Sequence, residues 1–321
     1  MSDTSRLRLR RGLALLVVVG SLGLAAPAGA QVDDSGSSAA FFSAKASSSP
    51  VGLELFDAGA PLIPGQISYV SPVVTRAEID SVGNSAGFAG GPYLGDNVPA
   101  LMGAFNAIGP FGAILPPYPF MVASQYPGTA KAAQDSGPRH LSANSNENGS
   151  GADARIGLTQ GNPALASLSS SSRAVHDPAT GLATATADGM VVGFSVGPTL
   201  TIGQITSHAD ISGQPGEKPT RHTSLSIGSL TVMGTLVGLT EQGLAPVPGT
   251  PKTADINSLT KQLAAAGISL GLLPGDNTDS STDSAALVIG LTRDVPNHGL
   301  VRTRVILGRV QARLDSGPGQ G

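Results

Sequence analysis

Three groups of side chains in this sequence combine residue types and spacings that chemistry uses. Gly83-Asn84-Ser85-Ala86-Gly87 fits the G-x-S-x-G pattern, in which a strained strand-to-helix turn lifts a serine hydroxyl toward a histidine. The pattern is permissive in a chain with 43 Gly, and no alternation of strand and helix signals surrounds it, so a flexible turn is the expected reading of Ser85. His208, Asp210 and His222 offer two imidazoles and a carboxylate, ligands that a divalent ion such as Zn2+ accepts. They share one polar face if residues 199–211 and 219–232 pair as strands. Histidines beside a hairpin loop are also ordinary surface residues, and on that ground no metal site is expected. The run from Asp276 through Asp279 to Asp283 carries oxygen ligands for Ca2+, yet it lacks EF-hand spacing, the central Gly and the terminal Glu, so it reads as a solvated turn.

A stripe of positive charge is the remaining candidate. Arg302, Arg304, Arg309 and Arg313 fall on one polar face of a last strand if that strand carries a bulge at Gly308. Such a stripe could meet anionic polymer or lipid headgroups; the plainer expectation is that edge-strand charges keep the sheet soluble. No pair of carboxylates has a spacing that argues for glycoside hydrolysis, and a chain without Cys has no thiol nucleophile and no disulfides. The residues therefore predict no catalytic, cofactor-binding or metal-binding set, and a protein that is not an enzyme.

The elements that must position these side chains are mainly β. Leu141, Ala143 and Ser145 alternate with more polar neighbours, Asn148-Gly149 offers a two-residue turn, and Ala152, Ala154, Ile156 and Leu158 continue the pattern, which pairs Leu141 with Ile156. Residues 165–175 and 182–196 flank a turn at 176–181. Segments 199–211 and 219–232 flank the loop 213–218, and 285–293 with 301–314 form the last pair. The stretches Thr199–Thr206 and Ser224–Thr231 are near copies, and in both the apolar phase slips by one at a glycine, Gly203 or Gly228; Val305, Leu307 and Val310 slip likewise at Gly308. A slip of one inside a strand is what a bulge produces, and paired slips curve a sheet. The alternative is that each glycine ends one short strand. One helix is expected at 253–266, capped by Thr253 or Asp255, with Ile256, Leu259, Leu263 and Ala266 as its stripe and Gly267 as its stop. The fold class expected is thus a long curved antiparallel sheet with one packed α-helix in a β domain spanning 138–315.

Composition divides the rest. All four Tyr and seven of the eight Phe precede residue 130, and all of these but Phe41 and Phe42 fall in a Pro- and Gly-rich segment, 51–137, expected to be irregular and to pack on the sheet; a short helix from Pro99 to Ile108 is its one regular candidate. Residues 31–50 are Ser/Ala-rich and read as a flexible leader, and 316–321 as a disordered tail. At the start, Arg6, Arg8, Arg10 and Arg11 precede an apolar run from Leu13 to Ala26 and then Ala28-Gly29-Ala30, the arrangement of a signal peptide cleaved after Ala30. The run is too short to span a bilayer permanently. Gly12-Leu13-Ala14 is a poor continuation for twin-arginine export, which leaves the ordinary route as the main reading. Cleavage takes away four Arg and one Asp, moving the formal charge from −3 to −6, a balance that disfavours a nucleic-acid partner.

Several segments resemble a known group. Gly91-Pro-Tyr-Leu-Gly-Asp96, Leu115–Phe120, Ser124–Gly128, Thr231–Val237 with Gly243-Leu244, and the helix end Leu263–Ile268 resemble secreted actinobacterial envelope proteins of unknown function, over about residues 90–314. The resemblance implies an envelope or extracellular setting in a high-GC Gram-positive bacterium and supplies no site residues. Two functions follow as expectations. In one, the chain is a non-catalytic structural or interaction protein whose aromatic front fills the sheet and whose surface meets envelope protein or glycan. In the other, a groove between curved sheet and helix carries a lipid or other hydrophobic ligand. An outer-membrane barrel fits less well, because Phe194 is the only aromatic in the strand region and no aromatic girdle can form.

Overall fold

The computed structural model describes residues 41–57, 66–93, 120–157, 165–248, 255–295 and 299–317. Strands β1 (Phe41–Asp57), β2 (Gln66–Val70), β3 (Val74–Asp80), β4 (Ser85–Gly90) and β5 (Met121–Tyr126) come first. Ten more follow: β6 (Lys131–Ser136), β7 (Arg139–Asn146), β8 (Gly149–Gly157), β9 (Ser167–Asp177), β10 (Leu182–Val196), β11 (Leu200–Gly213), β12 (Thr220–Ile227), β13 (Leu230–Val232), β14 (Thr235–Thr240) and β15 (Gly243–Ala245). After helix α1 (Ile256–Ala265) the chain ends on β16 (Ile268–Leu273), β17 (Ser281–Asp283), β18 (Ala286–Val295) and β19 (Gly299–Gly317).

The expected mainly β, antiparallel architecture is present, as two large sheets rather than one, with a single helix among the described residues. The terminal sheet runs β16-β18-β19-β1-β3-β4-β5, with β17 on β19 and β2 on β1; the middle sheet runs β15-β14-β13-β11-β10-β9-β8-β7-β6, with β12 on β11. They face each other in parallel order, β4 and β5 over β7 and β8, β1 over β9 and β10, and β19 over β10 and β11. Among the described residues no helix is long and apolar enough to cross a membrane.

The expected leader is corrected by β1. Residues 41–50 form the first half of a 17-residue strand that pairs with β19 on one side and with β3 on the other. Phe42, Ala44, Ala46 and Ser48 alternate inward, a period-2 pattern hidden by a composition in which Ser and Ala look like linker. Residues 31–40 lie outside the described set. The front segment 51–137 is likewise not irregular where it is described, since it supplies β2 to β5 of the terminal sheet and β6 of the middle sheet. The division at 137/138 also gives way: β6 belongs with β7, and the C-terminal strands β16 to β19 belong with β1 to β5. Ser316 and Gly317 are still in β19, paired with Phe42 and Phe41. The helix candidate at Pro99–Ile108 lies outside the described residues.

The hairpins stand where the alternation places them, with one change of register. Leu141 faces Ala154, not Ile156, because the two-residue turn is Glu147-Asn148. Asn146 fixes it, its side-chain carbonyl accepting the Asn148 N–H at 2.8 Å, so Gly149 enters the ladder opposite Asn146. The phase slips are also present. In β11 the buried positions pass from Leu200 and Ile202 to Ile205, Ser207 and Ala209 within one unbroken strand. Gly228 instead separates β12 from β13, so there the short-strand alternative holds. Gly308, at φ +85°, turns β19 so that Arg309 and Arg313 project on the same side as Arg302 and Arg304. In α1, Asp255 accepts from Ser258 N, Leu259 and Leu263 are buried, and Gly267 follows the end at φ +70°.

Small side chains set the spacing between the sheets. One interior cluster joins β1, β3, β9, β10, β11 and β19, and nine of its fourteen residues are Ala. Alongside runs a seam of buried hydroxyls. Ser48 Oγ donates to the Asp188 carbonyl at 2.7 Å, Thr75 Oγ1 lies 2.8 Å from both Ser170 Oγ and Ser172 Oγ, Ser150 Oγ bridges the Glu78 N–H and carbonyl at 2.9 Å each, and Ser124 Oγ meets Ser145 Oγ at 2.7 Å. Each of these bonds crosses from one sheet to the other. Larger residues, among them Leu200, Ile202, Leu287 and Leu307 with Leu259 and Leu263 of α1, fill the second cluster.

The approach is closest at Gly87, where an added Cβ would sit 2.6 Å from the Gly151 carbonyl oxygen of the facing sheet. Gly87→Ala should therefore cost about 1–3 kcal/mol in urea unfolding. Gly271→Ala, in β16 where the new methyl meets nothing within 4 Å, should leave stability unchanged or slightly raised. Equal effects at the two positions would contradict the spacing.

Candidate functional site

Ser85 opens β4 at the end of a β-turn, with no helix behind it. Asp80 holds that turn, its Oδ1 accepting from Val82 N at 3.1 Å and Asn84 N at 2.9 Å. The serine is 2% exposed, and its hydroxyl is placed to donate to two carbonyls of the facing sheet, Asn146 at 2.7 Å and Gly149 at 3.1 Å. It is a tether between sheets, a continuation of the hydroxyl seam.

The acidic loop also bonds within itself. Asn277 bridges Thr282, whose hydroxyl reaches the Asn277 side chain, Asp283 N donates to the Asp276 carbonyl at 2.7 Å, and Thr278 Oγ1 lies 2.8 Å from Ser281 Oγ. Asp283 turns to Arg309, at 3.6 Å. The arginines do share a face, but through the left-handed Gly308, which reverses the phase of β19 without a bulge in its pairing with β1, and β19 is flanked by β18 and β1, so they are not edge charges. Arg304 pairs with Glu54 at 3.0 Å and Arg313 with Asp315 at 2.6 Å. Arg302 and Arg304 line a groove of about 490 Å³ with Ser269, Gly290 and Thr292. Exposed pairs of this kind add little stability.

The densest set of interacting titratable groups lies on the outer face of the middle sheet. Strand pairing places Asp188 opposite His208, and Asp210 opposite His222, so residues from β10, β11 and β12 meet on one face. His208 Nδ1 is 2.7 Å from Asp188 Oδ1 and its Nε2 is 2.8 Å from Asp210 Oδ1. A ring nitrogen of His222 lies 3.6 Å from the same Asp210 oxygen, and the two imidazole centroids are 5.6 Å apart. One ligand atom from each of His208, Asp210 and His222 falls within 4.8 Å of the others. The set borders a groove of about 440 Å³ lined also by Asp153, Arg155, Met190 and Ser224.

Burial of the His208 ring opposes its protonation, but hydrogen bonds to Asp188 and then Asp210 outweigh it, and its pKa is raised above the ordinary 6.5. With both ring nitrogens facing carboxylate oxygens, only the imidazolium can donate to both. Sequence reasoning brought His208, Asp210 and His222 together correctly and missed Asp188, which belongs to the preceding hairpin. Extending the pairing one strand further would have found it. The hydroxyl seam was missed as well; its signal is the alternation of Ser170 and Ser172 within the run 169–172, on the same inward parity as Leu168 and Ala174.

Ser85→Ala should lower stability by about 1 kcal/mol through loss of the tether, and a fluorophosphonate probe should leave Ser85 of the folded protein unlabelled. Labelling at Ser85 would overturn its structural role. For His208 the folded-state pKa exceeds the unfolded one, so its stabilisation is complete below about pH 6.5 and is lost as pH rises through the raised value. In chelator-containing buffer, the gap in Tm between the native sequence and Asp188→Asn should shrink from pH 6 to pH 9; a constant gap would exclude the imidazolium bond. Comparison with known proteins finds no family model, no curated protein and no solved structure that matches this chain.

Proposed function

We propose that this chain is an exported, non-catalytic structural or interaction protein of the bacterial cell envelope or extracellular space. The observation that carries the reading is the closed contact between the sheets. Backbone approaches side chain and backbone so nearly at Gly87 that even a methyl group lacks room, and hydroxyls bond straight across the gap. An acyl chain has no place at that level. The front strands β1 to β5 occupy the face of the middle sheet that a carrier would leave for its ligand. Leu259 and Leu263 of the helix pack into the same cluster as Leu287 and Ile289, which supports a filled interior there too. Contacts with a partner then fall to the outer faces, where the two grooves and the charged side chains lie. Export rests on the basic and apolar run before Ala30.

Expression of the full chain in an actinobacterial host, followed by fractionation and N-terminal sequencing, tests the address: the envelope or medium fraction should yield a protein beginning at Gln31. Intact chain confined to the cytosol would refute export. Native mass spectrometry of the exported protein should give the mass of the polypeptide without lipid, whereas a reproducible lipid adduct would replace this reading with the carrier.

A further inference from the structure

We propose that His208, Asp210 and His222 bind a divalent transition-metal ion of the Zn2+ class on the outer face of the middle sheet, with Asp188 as the residue that orients His208. The ligands are fixed by strand register rather than by a loop. Asp210 and His222 are directly opposed on β11 and β12, and His208 precedes Asp210 by two residues on the same face. Side chains at such positions stand about 5–7 Å apart at the backbone, and their ligand atoms converge to within 4.8 Å of one another. Ligands at 2.0–2.2 Å from a common ion need only small side-chain rotations from this arrangement.

Donor chemistry selects the ion. Two imidazole nitrogens and one carboxylate oxygen suit Zn2+ and its neighbours, whereas Ca2+ and Mg2+ prefer oxygen alone. The set leaves a fourth tetrahedral position to water. Asp188 supplies the orienting bond such sites use: it sits 2.7 Å from His208 Nδ1, which directs Nε2 toward Asp210 and the ion. Without metal, Nε2 carries a proton shared toward Asp210. Binding breaks that N–H bond, releases the proton to solvent and forms the nitrogen–metal bond in its place, while Asp210 passes from hydrogen-bond acceptor to ligand.

His222 separates this reading from an ordinary surface ion pair. It is 66% exposed and 3.6 Å from Asp210, so an Asp188–His208–Asp210 ion-pair set has little need of it, and the metal site requires it. The mature protein, stripped with chelator, is titrated with Zn2+ by calorimetry and with Co2+ by visible absorption. Saturable one-to-one binding is expected, reduced at least tenfold in His222→Ala and about 10–100-fold in Asp188→Asn, and unchanged in His140→Ala, whose ring pairs with Asp135 elsewhere. Nitrogen-15 NMR of the histidine side chains provides a second measurement that needs no variant: Zn2+ should shift His208 and His222 together. Absence of saturable binding, equal affinity in His222→Ala, or shifts at His140 instead would each overturn the site.

Discussion

The contact between the two sheets is the constraint on which the rest of the molecule depends. Sheets packed through ordinary apolar side chains stand about 10 Å apart; here a Cβ at Gly87 would meet a carbonyl oxygen of the opposite sheet, and serine hydroxyls reach across to backbone and side-chain oxygens. At that level the facing positions are held by Gly, Ser and Ala, and the cluster alongside is mostly Ala. Ala44, Ala46, Ala77, Ala185, Ala187 and Ala209 are all 3% exposed or less, and they do for this core what Leu and Ile do for a wider one. Each contributes less apolar area, so the hydroxyl seam has to be satisfied throughout. It is satisfied: among the described residues the one buried side-chain atom without a hydrogen-bond partner is Asp283 Oδ1, outside the seam.

Close packing of this kind also fixes what the outer surfaces carry. A strand alternates its faces, so every inward Ala or Ser in β10 and β11 leaves the next residue on the outer face, and that face is where Asp188, His208 and Asp210 stand. The inner constraint holds the strands close to the opposite sheet, and the ladders keep them in register with their neighbours. A cluster from three strands is then positioned by the ladder itself, without a loop to order. The same logic places the arginines of β19. Their common face follows from Gly308, whose left-handed φ reverses the inward–outward phase of the strand, its register with β1 unchanged, at the level where it faces Ile205 and Leu225.

Much of the middle sheet could be read directly. Hairpin β9–β10, the facing of His208, Asp210 and His222, the slip at Gly203 and the helix cap at Asp255 are products of neighbouring residues, and local alternation records them. The pairing of Leu141 failed by two residues, because the choice between turns at 147–148 and 148–149 lay in one Asn146 hydrogen bond rather than in the hydrophobic pattern. Residues 41–50 failed more fully. A Ser/Ala alternation is indistinguishable from linker until the spacing of the sheets is known, since the same residues are too small to drive burial at an ordinary distance. Ser85 belongs to the same class: a motif suggested a hydroxyl for chemistry, and the fold spends it on two carbonyls.

By itself the sequence determined the β character, the antiparallel hairpins, the capped helix α1 and the shared face of two histidines and an aspartate, because each is encoded within one element or between sequential neighbours. Tertiary structure alone decided that β1 closes against β19 across most of the chain and that the front strands form a second sheet. Those contacts depend on which sheets meet and how closely. Small side chains leave that distance unmarked in the sequence, and only the assembled sandwich sets it.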